Sequence, residues 1–180
     1  QRQLRGLLGG LLERYWARTP TAAAVLASVQ AECDRRQVAA GPGGRGGGLG
    51  DGRAGDHFAL RSFAAEGCGI DAAAKPLEAL GYERRERLAF PGKHLQAHWF
   101  SPPGGPGRGL PRVFISELEV NRLSAAAQAV LRRYLTRAAG CPGGPLLWSA
   151  AGALPWGAVD FADYEALAAE SEYADRKSVV

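Results

Sequence analysis

Apolar residues open the chain at helical spacing. Leu4, Leu7, Leu8, Leu11, Leu12 and Tyr15 recur every three or four positions, which predicts an amphipathic helix over 3–17. Thr19-Pro20-Thr21 ends it and starts the next, since proline is tolerated in a first helical turn and a neighbouring threonine can cap. A second helix is expected over 21–36. Periodicity then stops: "AAGPGGRGGGLGDGRAG", residues 39–55, is half or more glycine. Glycine at that density does not offset its ordering entropy, so a flexible insertion is expected there.

From residue 56 the pattern changes to alternation. Strands are predicted over 56–64, 82–90, 95–101 and 112–120, with a helix over 71–80 ended by Gly81. Ser124 caps a further helix, 125–138, with Ala126, Val130, Leu131 and Tyr134 on one face. The fold class is therefore α+β. A helical segment (1–38) and the insertion (39–55) precede a β-α-β-β-β module with following helices (56–174). One such module makes a curved, half-open sheet, and two side by side enclose a pocket.

Candidate chemistry lies on the first strand. Alternate residues share a face, so His57, Ala59, Arg61 and Phe63 point one way and Phe58, Leu60 and Ser62 the other. The second face suits packing against helices. The first carries an imidazole and a guanidinium about 13 Å apart along the strand. His57 could ligate a metal, and Arg61 could hold a carboxylate in bidentate fashion. The plainer alternative makes His57 a structural or surface histidine and pairs Arg61 with Asp56 or Glu66 at the sheet edge.

Composition narrows the class without choosing a function. Hydrophobic content of 46% and charged content of 22% are those of a globular chain. No apolar run reaches the roughly 18 residues of a membrane helix. The net charge of +4 comes from scattered arginines, so no nucleic-acid partner is expected. "GGRGGG" has no aromatics to stack on bases, and the glycine-rich stretch lacks the ending of a phosphate-binding loop. Cys33, Cys68 and Cys141 are odd in number and widely spaced, which reads as reduced thiols in an intracellular protein. There is no initiator methionine, so a lost organelle-targeting extension stays open.

Four blocks, "DHFALRSF", "HLQAHWFSPP", "LPRVFISELEVNRLS" and "PWGAVDFADYEALAAESEYA", occur in an order that resembles the 2-oxoadipate dioxygenase/decarboxylase family. The resemblance spans roughly residues 1–174, with the glycine stretch as an insertion. It implies half of a vicinal-oxygen-chelate fold, and a mononuclear Fe(II) site of two histidines and one glutamate with positions open to substrate and O2. By the "DHxAxR" block, His57 would be the first iron ligand and Arg61 the contact to a substrate carboxylate. The implied partners are a 2-oxo dicarboxylic acid and O2. The reaction implied converts 2-oxoadipate and O2 to 2-hydroxyglutarate and CO2, in lysine catabolism. The setting expected is intracellular, with the sequence not choosing between cytoplasm and plastid.

The remaining ligands of that family site are expected beyond residue 180. His94 and His98 do not fill them: "HLQAH" lies in a strand pattern, where four residues span about 13 Å and cannot share one ion. Structural or solvent-facing roles are expected for both. Residues 175–180, "DRKSVV", back-translate to the start of a common sequencing adapter, so a non-native tail on a truncated chain is expected. Glu117 and Glu119 share a face near Arg112 and Arg122, which suggests structural ion pairs. Trp16, Trp99, Trp148 and Trp156 read as packing residues. The rival to the enzyme is a non-catalytic binding or plastid developmental member of the same fold. A third reading, a single module that dimerises, would bring two copies of His57 together at one axis.

Overall fold

Four strands form one sheet in the order β1-β4-β3-β2 in a computed structural model that describes residues 2–40, 57–105, 110–139 and 156–174. They are β1 (His57–Phe63), β2 (Glu83–Phe90), β3 (Leu95–Ser101) and β4 (Arg112–Leu118). β1 runs parallel to β4, while β4 with β3 and β3 with β2 are antiparallel. Helix α3 (Ile70–Ala79) makes the crossover from β1, giving the expected β-α-β-β-β order. Helices α1 (Arg2–Arg18) and α2 (Pro20–Ala40) precede the module, and α4 (Ala125–Ala139) and α5 (Phe161–Glu170) follow it. The expected insertion from residue 41 onward, Cys141, Trp148 and the 175–180 tail lie outside the described residues.

The helix ends follow local chemistry. Thr19 accepts the N–H groups of Ala22 and Ala23 at its carbonyl, so α2 begins on Pro20. Gly81, at φ +93°, turns the chain out of α3; Tyr82 N–H reaches Leu77 O and Gly81 N–H reaches Glu78 O, each at 3.0 Å. That reciprocal closure needs the left-handed conformation that glycine adopts freely. Ser124 Oγ accepts Ala127 N–H and caps α4, as the sequence predicts. Asp160 Oδ1 caps α5 by accepting Ala162 N–H at 2.9 Å.

Pro76 inside α3 removes one helical hydrogen bond, yet the helix persists because it is packed. Ala74 and Leu77 beside it are fully buried.

Each sheet face has its own core. On one face, Leu60, Val113, Ile115 and Phe100 meet α3 and, from α1, Leu8 and Leu11. The N-terminal helix is thus part of the module's core. Next to the opposite face, Phe63, Leu95 and Leu118 join Leu123, Ala127, Leu131 and Leu135 around α4, with Leu167 of α5 and Ala174. Trp156 packs edge-on against Phe63 at 6.2 Å between ring centres. β2 is exposed along its whole length.

Candidate functional site

Strand register determines what surrounds Arg61. Arg61 lies opposite Ser116 on β4, Ser116 opposite Ala97 on β3, and Ala97 opposite Leu88 on β2, so one row crosses a single face of the sheet. The flanking row is Phe63, Leu118, Leu95 and Phe90. The small Ser116 side chain beside the long one at 61 leaves a hollow. A cavity of about 320 Å³ occupies it, walled by Ala59, Arg61, Phe114, Ser116, Leu95 and Phe90, with Lys93 and Tyr173 at its rim.

Arg61 is half-buried and stacked on the Tyr173 ring, its Cζ 4.4 Å from the ring centre. Its Nη1 is buried and has no hydrogen-bond partner. A buried guanidinium N–H without an acceptor is costly, and an anion in the cavity would relieve that cost. Among the described residues Arg61 forms no ion pair with Glu66, the alternative read from the sequence; it stacks on the tyrosine ring instead. Asp56 lies outside the described residues.

His57 sits on the same strand face, as expected, but at the exposed start of β1 and beyond the cavity wall. It pairs in register with Arg112. Among the described residues no three His, Cys, Asp or Glu side chains converge as a metal site. A three-donor iron centre therefore does not fit on these residues alone, and His57 offers it a single donor.

The other candidates take structural places. His94 adopts a left-handed conformation (φ 52°) after the turn Pro91–Lys93, and its carbonyl accepts Glu119 N–H at 2.8 Å. His98 Nδ1 lies 2.8 Å from Arg85 O across the β2–β3 pair, on the face opposite Arg61. The paired-glutamate expectation needs correction, because β4 ends at Leu118 and leaves Glu119 outside the strand. Glu119 does pair with Arg122 at 3.0 Å. Among the described residues Glu117 pairs with no arginine; it accepts Ile70 N–H at 2.7 Å and the Gln96 side-chain amide. Trp99 does more than pack: its indole N–H donates to Glu86.

A larger cavity of about 650 Å³ lies between α4 and α5. Its polar groups are engaged: Arg133 Nη2 meets Asp163 at 2.6 Å, Tyr134 O–H donates to the same carboxylate at 2.5 Å, Arg137 lies over the Tyr134 ring and Asp160 caps α5. The Arg61 cavity is the better candidate because its cation is unsatisfied. Tyr173 and Lys93 went unread in the sequence. Both stand inside quoted or adjacent blocks ("SEYA", "PGKH"), but nothing in their spacing brings them to Arg61.

Together, the β-α-β-β-β sheet and an arginine-bearing concave pocket define half of a vicinal-oxygen-chelate fold. A glyoxalase superfamily protein from Ralstonia eutropha, 20% identical, shares that fold at a TM-score of 0.67 over 94% of this chain and 56% of its own. The sequence model of the 2-oxoadipate dioxygenase/decarboxylase family matches residues 7–140, and the chain belongs to that family. It is 42% identical over 126 residues to the chloroplastic/amyloplastic 2-oxoadipate dioxygenase/decarboxylase of Oryza sativa subsp. japonica, covering 66% of this chain and 35% of that one. It is 36% identical over 178 residues to the chloroplastic enzyme of Arabidopsis thaliana, covering 94% of this chain and 44% of that one. The crystal structure of the hydroxyglutarate synthase from Oryza sativa in complex with 2-oxoadipate superposes at a TM-score of 0.81 with 33% identity, over 97% of this chain and 53% of that one. The chain thus spans about half or less of the length of these relatives.

Proposed function

We propose that this chain is the substrate-binding half of a 2-oxoadipate dioxygenase/decarboxylase. The observation that carries the reading is Arg61, half-buried over a 320 Å³ cavity with an unpartnered Nη1. A guanidinium in a mostly apolar pocket selects a carboxylate on a short carbon chain. The rice structure's 2-oxoadipate is such a ligand, and family membership supports the same substrate here.

In this reading Arg61 binds the distal carboxylate and fixes the substrate's orientation, while Phe90, Leu95 and Phe114 shield its methylene chain from water. His57 holds one position of an Fe(II) centre whose other donors lie outside the described residues. Iron, when bound, supplies the O2 activation by which 2-oxoadipate and O2 become 2-hydroxyglutarate and CO2. Lysine breakdown is the corresponding pathway, and the chloroplastic names of the relatives support a plastid setting.

The test joins this chain to the C-terminal half of the rice relative and follows 2-oxoadipate-dependent O2 uptake and CO2 release. Arg61→Gln should lower kcat/KM on the order of a hundredfold, since it removes one partner of a buried charge pair. Turnover that does not depend on 2-oxoadipate, or that survives Arg61→Gln unchanged, would overturn the reading.

A further inference from the structure

The Arg61 cavity has a second cation at its rim. Lys93 closes the turn Pro91–Lys93 between β2 and β3, and its Nζ lies 5.3 Å from the centre of the Tyr173 ring. Arg61 is stacked on that same ring at 4.4 Å. The ring is held in place from its own side: Ala174 beside it is buried in the α4 core, and Tyr173 N–H donates to Ser171 Oγ at 3.1 Å. One aromatic ring therefore gathers two like charges at the mouth of one pocket.

Two cations brought together repel, and the π-face offsets only part of that repulsion. An anion within reach of both would offset the rest. Lys93 also keeps its proton more firmly than an ordinary lysine, chiefly through neighbouring Tyr173, with Glu172 adding to and Arg61 opposing that effect.

We propose that Lys93 is a second carboxylate-reading residue of this pocket, and that Tyr173 is the positioning residue that aims Arg61 and Lys93 at one carboxylate. Arg61 presents a planar fork and Lys93 a point charge, so together they take two edges of one carboxylate group. The ring restricts both long side chains before the ligand arrives, which lowers the ordering cost of binding. A monocarboxylate of equal length would leave two cations facing a methyl group, and the pocket would reject it. This inference rests on the reading of the cavity as a 2-oxo dicarboxylate site.

The test is calorimetric titration of the 180-residue chain with 2-oxoadipate and with 2-oxohexanoate, which has the same chain length but no distal carboxylate. The wild-type chain should prefer 2-oxoadipate. Lys93→Gln, at an exposed position, should weaken 2-oxoadipate binding about tenfold and leave 2-oxohexanoate within about twofold. Lys93→Arg should restore most of the loss, which a merely structural lysine would not require. Tyr173→Leu should weaken 2-oxoadipate at least as much as Lys93→Gln, whereas Tyr173→Phe, which keeps the ring, should lose only about threefold.

The outcomes separate the two readings. A wild-type preference that Arg61→Gln abolishes and Lys93→Gln spares would leave the pocket reading standing and overturn the role of Lys93. Equal binding of the two acids by the wild-type chain, or no binding of either, would overturn both.

Discussion

The Glu117 carboxylate on β4 accepts the backbone N–H of Ile70 across 2.7 Å, so a strand side chain caps the first turn of α3. Gly69, the residue before the helix, has no side chain to do so. A Cβ built there would stand 2.6 Å from Glu117 Oε2, so glycine is needed for this close approach and not for its backbone angles. Glu117→Ala should cost about 1 kcal/mol, the usual worth of a helix cap. Gly69→Ala should cost a similar amount by pushing the carboxylate aside. The double variant should be clearly less than additive in denaturant unfolding, because both changes break the same contact.

Tyr82 is buried, and its hydroxyl donates to Pro111 O at 2.8 Å. Burial pushes its pKa up to about 12. An unfolded tyrosine ionises near pH 10. The folded state therefore holds its proton longer, and the stability it contributes is complete below about pH 10 and lost as pH rises towards 12. Tyr82→Phe should flatten that alkaline decline in melting temperature, while costing about 1 kcal/mol at neutral pH through the lost hydrogen bond.

Asp163 has the opposite sign. The hydrogen bond from Tyr134, aided by Arg133, holds its carboxyl below the ordinary aspartate value. Its contribution is present above about pH 4, the unfolded value, and is lost as pH falls through the lower folded value. Asp163→Asn should therefore be less stable than wild type at neutral pH, with the gap closing on acidification. Thermal melts across pH 2–7 would show it; a gap constant with pH would remove the proposed linkage.

Leu8, from the N-terminal helix, is 1% exposed and packs in one cluster with Leu77 and Ile115 of the module. Leu8→Ala should cost about 2–5 kcal/mol and shift a single cooperative transition. A separate, earlier melting of the N-terminal helices would contradict that shared core.

Iron binding by this chain alone should be weak, because His57 offers one imidazole and no three donors converge among the described residues. Calorimetric titration with Fe(II) should give no micromolar site. Micromolar binding that vanished in His57→Ala would place a complete ligand set on this chain.

The elements of the fold were legible because they follow from local periodicity and punctuation. Leucines at helical spacing made α1, alternation made β1, and Ser124 and Gly81 marked helix ends through their own side-chain and backbone chemistry. Alternation also placed His57 and Arg61 on one face before any contact was known. Asp160 stands at the start of α5 as a recognisable cap, yet the sequence pattern predicts only unspecified following helices there.

Tertiary structure decided what no local rule carries. Glu117, five positions from Arg112 and from Arg122, answers a helix end 47 residues earlier in the chain. Tyr173 reaches Arg61 from 112 positions away and turns a strand arginine into the floor of a pocket. Register explains the hollow itself, since the small Ser116 comes to lie beside Arg61 only once β1 and β4 pair. The sequence alone determined which side chains could do chemistry and which way they face, because those depend on near neighbours. Which of them meet was settled by the packing of distant segments, where burial and pairing outweigh anything written locally.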